Sequence, residues 1–158
     1  MKTRRGQIRH PEIGTFGLGI VLLVFGFLYY AVSRDPNMHY IFPIPDYFKW
    51  GLLTLSGGIL NAIPSFLHTA AFILLTVSVL SNPCRKIILL VALFWVILNS
   101  LFEFAQALNN VGSEHVYLSD HYARYLTSGT FDSWDLAAIM FGGIFAYLFS
   151  LSKVKENR

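Results

Sequence analysis

The chain has 158 residues, of which 54% are hydrophobic and 13% are charged, whereas soluble domains average about 25% charged residues. Its mean hydropathy of +0.53 and its long uncharged runs are typical of a polytopic membrane protein and leave no room for a large soluble domain. The net charge of +3 is concentrated in the termini and one short loop, so it indicates membrane orientation and not binding of nucleic acid. Cys84 is the only cysteine, which excludes an intrachain disulfide and a cysteine-cluster metal site.

The first predicted membrane span covers residues 13–33, which carry no charge. A helix of this length crosses a hydrocarbon core of about 30 Å, because each residue adds about 1.5 Å. The apolar run is too long for the core of a cleaved signal peptide, and no small-residue cleavage site follows it. We therefore expect a retained anchor.

An exported loop is predicted after the first span, because its prolines prevent a continuous helix; they are Pro36, Pro43 and Pro45. Residues 47–62 are apolar and aromatic but short for a crossing, since Pro64 divides the run. This pattern predicts an interfacial or re-entrant helix with its aromatic side chains at headgroup level.

Three further spans are predicted over residues 64–81, 87–107 and 134–151. Pro64 suits the first turn of the second span, where a missing backbone N–H costs nothing. The short turn between the second and third spans is basic and therefore cytoplasmic. Residues 108–131 form a second exported loop.

The basic residues indicate the orientation, because nine of the 12 Lys and Arg lie in segments assigned to the inside. Those nine are Lys2, Arg4, Arg5, Arg9, Arg85, Lys86, Lys153, Lys155 and Arg158. Four spans with both termini inside give this distribution. The sequence therefore predicts an all-α membrane protein, with residues 1–158 forming one transmembrane domain of four helices and an interfacial or re-entrant helix before the second span.

A polar centre is predicted in the outer third of the membrane. An ionisable group within a span is costly and is by default a functional-site hypothesis. The third span carries polar residues spaced i, i+4, i+7, which share one helix face, and the fourth span opens with two Asp residues, where the helix dipole favours carboxylates. The candidate site residues are His68, Asn99, Glu103, Gln106, Asp132 and Asp135.

Small residues follow Asp135 on the same face of the fourth span, at Ala138, Gly142 and Ala146. A ridge of small residues lets another helix approach closely. We therefore expect this face to dock against the bundle and Asp135 to point into it. The polar face of the third span should point inward too, since lipid cannot satisfy Glu103.

Three interpretations of the polar centre remain open. The residues form a buried hydrogen-bond network that fixes helix packing, with Asp132 capping a helix. Alternatively, they form a ligand or catalytic site in which His68 acts as a general acid or base. The third interpretation is a divalent cation site, although the spacing matches no metal motif, and we predict neither a resident metal nor a cofactor. Because the centre is acidic, it suits cationic, sugar or peptide-like groups better than a bare phosphate.

With these motifs in this order, the chain resembles the VanZ-like family of small bacterial membrane proteins over roughly residues 60–150. The resemblance rests on Pro64-Ser-Phe-Leu-His68 with Phe72, on Glu103-Phe-Ala-Gln106, on Phe131-Asp132-Ser-Trp-Asp135-Leu and on Gly142. The family is named for a protein linked to teicoplanin resistance, and its members often occur with envelope or exopolysaccharide functions. The resemblance implies an inner-membrane accessory protein that binds or presents an envelope lipid, glycolipid or glycopeptide, with the bilayer and a membrane protein as partners.

The chain departs from the family pattern at two positions. The family usually has Arg just before the Asp pair, where this chain has Gly129-Thr130, and it tends to have Asn where this chain has Ile139. Two other functions compete with the accessory role. One is a membrane-embedded hydrolase or transferase that uses His68 with Glu103 or Asp135, and the other is a scaffold subunit of a polysaccharide-synthesis complex.

Overall fold

The structure, a computed structural model, describes residues 13–33, 58–81, 83–109 and 132–156. All regular secondary structure in these ranges is helical, which confirms the all-α prediction for this part of the chain. The helices are α1 (Ile13–Ser33), α2 (Gly58–Asn61), α3 (Ile63–Val79), α4 (Arg85–Asn109) and α5 (Ser133–Glu156).

Three of the described helical segments are long and apolar enough to cross a membrane: Ile59–Val79, Arg85–Ala105 and Ser133–Lys153. In α1 the apolar segment is Ile13–Tyr29. The helices α4 and α5 extend beyond the predicted segments 87–107 and 134–151 at both ends. Charged residues extend the start of α4 and the end of α5, whereas uncharged residues extend the other two ends. These apolar helices indicate that the protein lies in a lipid bilayer.

Helix α3 lies at the centre of the bundle and contacts α1, α4 and α5. It runs antiparallel to α1, because Gly19 packs beside Leu75 whereas the later Gly26 packs beside the earlier His68. This contact is close: a Cβ atom on Gly19 would lie 2.8 Å from Leu75 Cγ. The role of these glycines in the α1 interface was not predicted from the sequence.

The other two neighbours of α3 continue the alternation of helix direction. Helix α4 is antiparallel to α3, because its Trp95 bonds to Thr76 and its later Asn99 bonds to the earlier Thr69. Helix α5 is parallel to α3, and their first turns meet where Ser65 bonds to Asp135. Successive long helices therefore run in opposite directions, and α3 and α5 begin at the same end of the bundle, which we call the site end.

The predicted small-residue ridge of α5 packs against α3. A Cβ atom on Gly142 would lie 2.6 Å from the Phe66 carbonyl oxygen, so only glycine permits this approach. Such close backbone contact is how helices associate where lipid removes the hydrophobic driving force. The ridge continues into the core, whose buried residues are Ala70, Ile73, Leu74, Val77, Ile88, Ala92 and Ala146. The expected docking face of the fourth predicted span is thus confirmed at Gly142 and Ala146, whereas Ala138 is only half-buried.

A turn at Ala62 separates α2 from α3. Its backbone N–H donates to the Ile59 carbonyl at 3.2 Å, and Pro64 occupies the first turn of α3, where it needs no donor. Of the predicted interfacial or re-entrant helix over residues 47–62, the structure describes only the end, which holds α2. The first predicted exported loop and residues 110–131 of the second lie outside the described residues, whereas residues 108 and 109 belong to α4 and not to a loop.

Candidate functional site

A line of hydrogen bonds crosses the bundle near the site end. The Ser65 hydroxyl donates to Asp135 Oδ1 at 2.6 Å, and the Thr69 hydroxyl donates to the Ser65 carbonyl at 2.8 Å. From α4, Asn99 Nδ2 donates to Thr69 Oγ1 at 2.9 Å. These four residues, which we call the polar network, join α4, α3 and α5.

The network is enclosed by apolar packing, since Thr69 is 0% and Asp135 6% exposed. A buried carboxylate is costly unless polar groups compensate it. The groups that compensate Asp135 include the Ser65 hydroxyl, at a distance typical of a charge-assisted hydrogen bond, and the N-terminal dipole of α5, in whose first turn Asp135 lies. The fold therefore holds one carboxylate at a fixed position between α3 and α5.

Asp132 has a different role, although it lies only one turn before Asp135. Its Oδ1 accepts a hydrogen bond from the Trp134 backbone N–H at 3.0 Å, and its carbonyl accepts from the Asp135 N–H at 3.0 Å. This confirms that Asp132 caps α5, as its position at a helix start suggests.

His68 packs against α1. A Cβ atom on Gly26 would lie 2.9 Å from His68 Nε2, so the missing side chain of that glycine makes room for the imidazole ring. The ring stacks on Phe72 at 6.3 Å, and Phe72 stacks on Trp95 at 4.8 Å. We call His68, Phe72 and Trp95 the aromatic column. A hydrogen bond also joins the α4 member of the column to α3, because the Trp95 indole N–H donates to Thr76 Oγ1 at 2.9 Å.

Glu103 lies on the α4 face that turns towards α3. It follows Asn99 by one turn, and because α4 runs antiparallel to α3, that turn brings it nearer the site end. Its side chain is half-buried, and its Oε2 atom is enclosed. Gln106 continues the same helix, but its side chain lies outside the described residues. The third predicted span therefore turns its polar face inward at Asn99 and Glu103.

The structure joins Asn99 to Asp135 through two residues that the sequence analysis did not select, Ser65 and Thr69. Both are small hydroxyl residues in an apolar helix, where Ser and Thr usually bond to the carbonyl one turn earlier. Thr69 donates to the Ser65 carbonyl in this way. Because this bond within α3 already accounts for the hydroxyl, the sequence gives no reason to expect that Thr69 also accepts a hydrogen bond from Asn99. The only sequence sign of the pair is its i, i+4 spacing on the face of α3.

The donor set of the network suits hydrogen bonding better than metal binding. It offers one carboxylate, two hydroxyls and one carboxamide. Within the four described ranges, no group of three or more His, Cys, Asp or Glu is placed to hold a metal ion. The arrangement can therefore orient a carboxylate towards a cationic or hydroxyl-bearing group.

An open groove of about 220 Å³ lies beside the network. Its walls are the first turns of α2, α3 and α5, so it opens at the site end. We call it the α3–α5 groove, and its lining is entirely apolar: Ile59, Ala62, Ile63, Phe66, Trp134, Ala137, Ala138 and Phe141. The Ser65–Asp135 hydrogen bond lies next to this lining in sequence, since Ser65 precedes Phe66 and Asp135 follows Trp134.

Comparisons with known proteins add no homologue to this geometry. No protein-family model, no curated protein and no solved structure matches the chain.

Proposed function

We propose that the chain is a multi-pass protein of the bacterial inner membrane with four transmembrane helices and both termini in the cytoplasm. Three of these helices contain the membrane-crossing segments described above, and α1 is the additional one. Its 21 residues are long enough for a hydrocarbon core of about 30 Å. The alternating helix directions agree with four successive crossings. Arg85 and Lys86 open α4 at the end opposite the site end, which orients the site end outward by the positive-inside bias.

In this orientation the polar network and the α3–α5 groove lie at the outer leaflet. We propose that the protein is a VanZ-like accessory factor of the cell envelope that binds or presents an envelope lipid, glycolipid or glycopeptide. The observation that carries the proposal is the buried Asp135 carboxylate, held by Ser65 beside an open apolar groove. This pairing matches an amphipathic ligand, since its two parts need opposite surroundings.

The headgroup of such a ligand is expected to be cationic or rich in hydroxyl groups. Asp132, Asp135 and Glu103 all lie towards the site end, and a bare phosphate near them would be repelled. The interfacial or re-entrant helix predicted over residues 47–62 belongs to the same proposal only for the residues that precede the apolar segment Ile59–Val79, where it would lie at headgroup level. Roles in glycopeptide resistance or exopolysaccharide synthesis rest on the family resemblance alone.

We favour ligand binding over a hydrolase or transferase that uses His68 with Glu103 or Asp135. The His68 ring contacts Gly26 and stacks on Phe72, whereas the Asp135 carboxylate receives its hydrogen bond from Ser65. His68 thus lies beside α1 and Asp135 beside α5, and the apolar groove, which suits the hydrocarbon part of a ligand, has α5 and not α1 in its wall. A scaffold role in a polysaccharide-synthesis complex would instead appear as tight co-purification with a glycosyltransferase.

Mass spectrometry of the lipids retained after purification in mild detergent tests the proposal. We expect wild-type protein to retain an envelope lipid or glycolipid that is depleted in Asp135→Asn, which keeps the shape but removes the charge. Ser152→Ala, an exposed change near the other end of α5, is the matched control and should retain the wild-type set. Identical lipid sets in all three proteins contradict the proposal.

Reporter fusions test the orientation separately. Fusions at residue 84 and at both termini should report the cytoplasm, and fusions at residues 40 and 118 should report export. An exported reporter at residue 84 contradicts the proposed topology, whatever the lipid analysis shows.

A further inference from the structure

We infer that the α3–α5 groove is the seat of one acyl chain of the bound lipid. This inference rests on the proposed function and adds where the hydrocarbon part of the ligand is held. It depends on three observations: the composition of the groove walls, the size of the groove and its position along the membrane spans.

The groove exists because small residues face large ones across it. Ala137 and Ala138 of α5 are half-buried and leave open the space opposite Ile63 and Phe66 of α3. The helices cannot close this space by moving together, since the Gly142 backbone already touches the Phe66 carbonyl. The groove is therefore a fixed feature of the α3–α5 contact.

The walls of the groove rise on both sides of this floor. Ile59 forms the wall on the α2 side and is 63% exposed. Trp134 and Phe141 form the wall on the α5 side and are 49% and 66% exposed. Towards the middle of the bundle the floor continues as a ring contact between Phe66 and Phe145, whose centroids are 5.8 Å apart. A flexible apolar chain that enters at the rim thus meets apolar side chains along its whole path.

The groove lies within the membrane spans, so its surroundings are hydrocarbon. Its lining residues occupy the first turns of the segments Ile59–Val79 and Ser133–Lys153, and Trp134 stands at its rim. Indole rings favour the level of the headgroups, which places the mouth of the groove where acyl chains begin. An acyl chain can enter sideways from the leaflet, while its headgroup stays near Asp132 and Asp135.

The size of the groove suits a narrow apolar chain. The groove offers about 220 Å³, which part of an acyl chain can occupy. A partner helix could place only single side chains there, and crosslinking distinguishes the two occupants. Since lipid tails are as apolar as leucine, selection of one chain here depends on shape and not on exclusion of water.

Photocrosslinking tests this inference on the full chain reconstituted in vesicles. The probe is a phosphatidylethanolamine with a diazirine in one acyl chain, and mass spectrometry locates the crosslinked peptides. In wild-type protein we expect severalfold more labelling on residues 59–66 and 134–141 than on the exposed face of α4 at Leu101 and Phe104. These two residues are 58% and 49% exposed and lie in the half of α4 nearer the site end.

Two variants alter the groove in opposite ways. Ala137→Leu fills it, and Phe141→Ala removes an exposed wall without crowding the bundle. Both should reduce groove labelling to the level of the α4 face. Gly17→Leu is the control, because a Cβ atom there meets nothing within 4 Å; it should keep the wild-type pattern.

Equal labelling of the groove and the α4 face in wild-type protein overturns the inference, as does groove labelling that neither variant reduces. In a second experiment a photoreactive amino acid replaces Phe141, and crosslinks from it to a second protein chain instead of lipid also overturn the inference, since they identify a protein occupant. The outcomes separate this inference from the proposed function. If the groove is labelled but no envelope lipid is selectively retained, the inference stands and the proposed function is contradicted. If retention depends on Asp135 but persists in Ala137→Leu, the proposed function stands and the inference is contradicted.

Discussion

The Ser65 hydroxyl and the Asp135 carboxylate lie 2.6 Å apart although 70 positions separate the two residues in the chain. Their contact joins the first turn of α3 to the first turn of α5. It fixes a buried carboxylate at the site end, next to the α3–α5 groove. The stability of the bundle and the proposed ligand site therefore share one hydrogen bond.

The coupling between these two residues can be measured with a double-mutant cycle of Ser65→Ala and Asp135→Ala. We expect each single change to destabilise the bundle by about 1–3 kcal/mol, because each disturbs a buried polar group. The coupling energy should be about 0.5–2 kcal/mol in favour of the native pair. Reversible unfolding in mixed micelles provides the measurement, and a coupling energy near zero would contradict the structural role of the bond.

Gly142 should tolerate no side chain. Its Cβ atom would lie 2.6 Å from the Phe66 carbonyl oxygen, which is backbone and cannot rotate away. We expect Gly142→Ala to destabilise the bundle by about 1–3 kcal/mol, as overpacking does. The measurement is the same unfolding assay.

Gly17→Ala is the matched control for that change. A Cβ atom on Gly17 has open space around it, and Ala is preferred over Gly in a helix by about 0.5–1 kcal/mol. Gly17→Ala should thus be neutral or slightly stabilising. Equal effects of the two changes would mean that α3 and α5 are not in backbone contact.

Substitutions of Glu103 test whether the site needs the negative charge of the carboxylate or only the shape of the side chain. Glu103→Gln keeps the size and most of the hydrogen-bonding capacity of the side chain, so we expect near-normal stability. If the carboxylate serves the ligand site, the same variant should lose retention of the envelope lipid in the mass-spectrometric assay. Glu103→Ala should lose both, because it also removes packing and hydrogen bonds at a half-buried position.

The outcome for Glu103 decides between two interpretations of the polar centre. Full retention of the lipid in Glu103→Gln and in Asp135→Asn would reduce the cluster to a packing network. Asp132→Asn adds a comparison, since Asn caps a helix about as well as Asp. Loss of retention in that variant would therefore identify a need for charge at the start of α5.

Cys84 provides a test of orientation and of pH dependence. The thiol is exposed, and a hydrogen bond from the Ile87 backbone N–H lowers its pKa below the ordinary value for a thiol. The thiolate is the reactive form, so the native protein should react with a maleimide faster than the denatured protein at neutral pH. This advantage should disappear as the pH rises above the ordinary thiol pKa, where both forms are thiolate.

The same thiol should be protected in intact cells if the α3–α4 turn is cytoplasmic. A membrane-impermeant maleimide should leave Cys84 unlabelled until the membrane is opened. A cysteine introduced at position 118 in a Cys84→Ser background should label at once, because we predict that this loop is exported. Labelling of Cys84 in intact cells would reverse the proposed orientation.

The sequence by itself determined the helices and several local contacts within them. Uncharged runs of sufficient length predicted helices at 13–33, 64–81, 87–107 and 134–151, because apolar length reports directly on helix formation in lipid. The cap at Asp132 followed from its position, since a cap bonds within its own turn. The docking face around Gly142 followed from the i, i+4 spacing of small residues, which is a property of one helix alone.

Only the tertiary structure decided which polar groups meet. Thr69 and Asn99 are joined across two helices, and so are Ser65 and Asp135. These pairings depend on the rotation and depth of each helix in the bundle, which result from many packing contacts at once. The placement of His68 against Gly26 was hidden for the same reason: a glycine records no partner in the sequence, because its role is to leave space for the side chain of another helix.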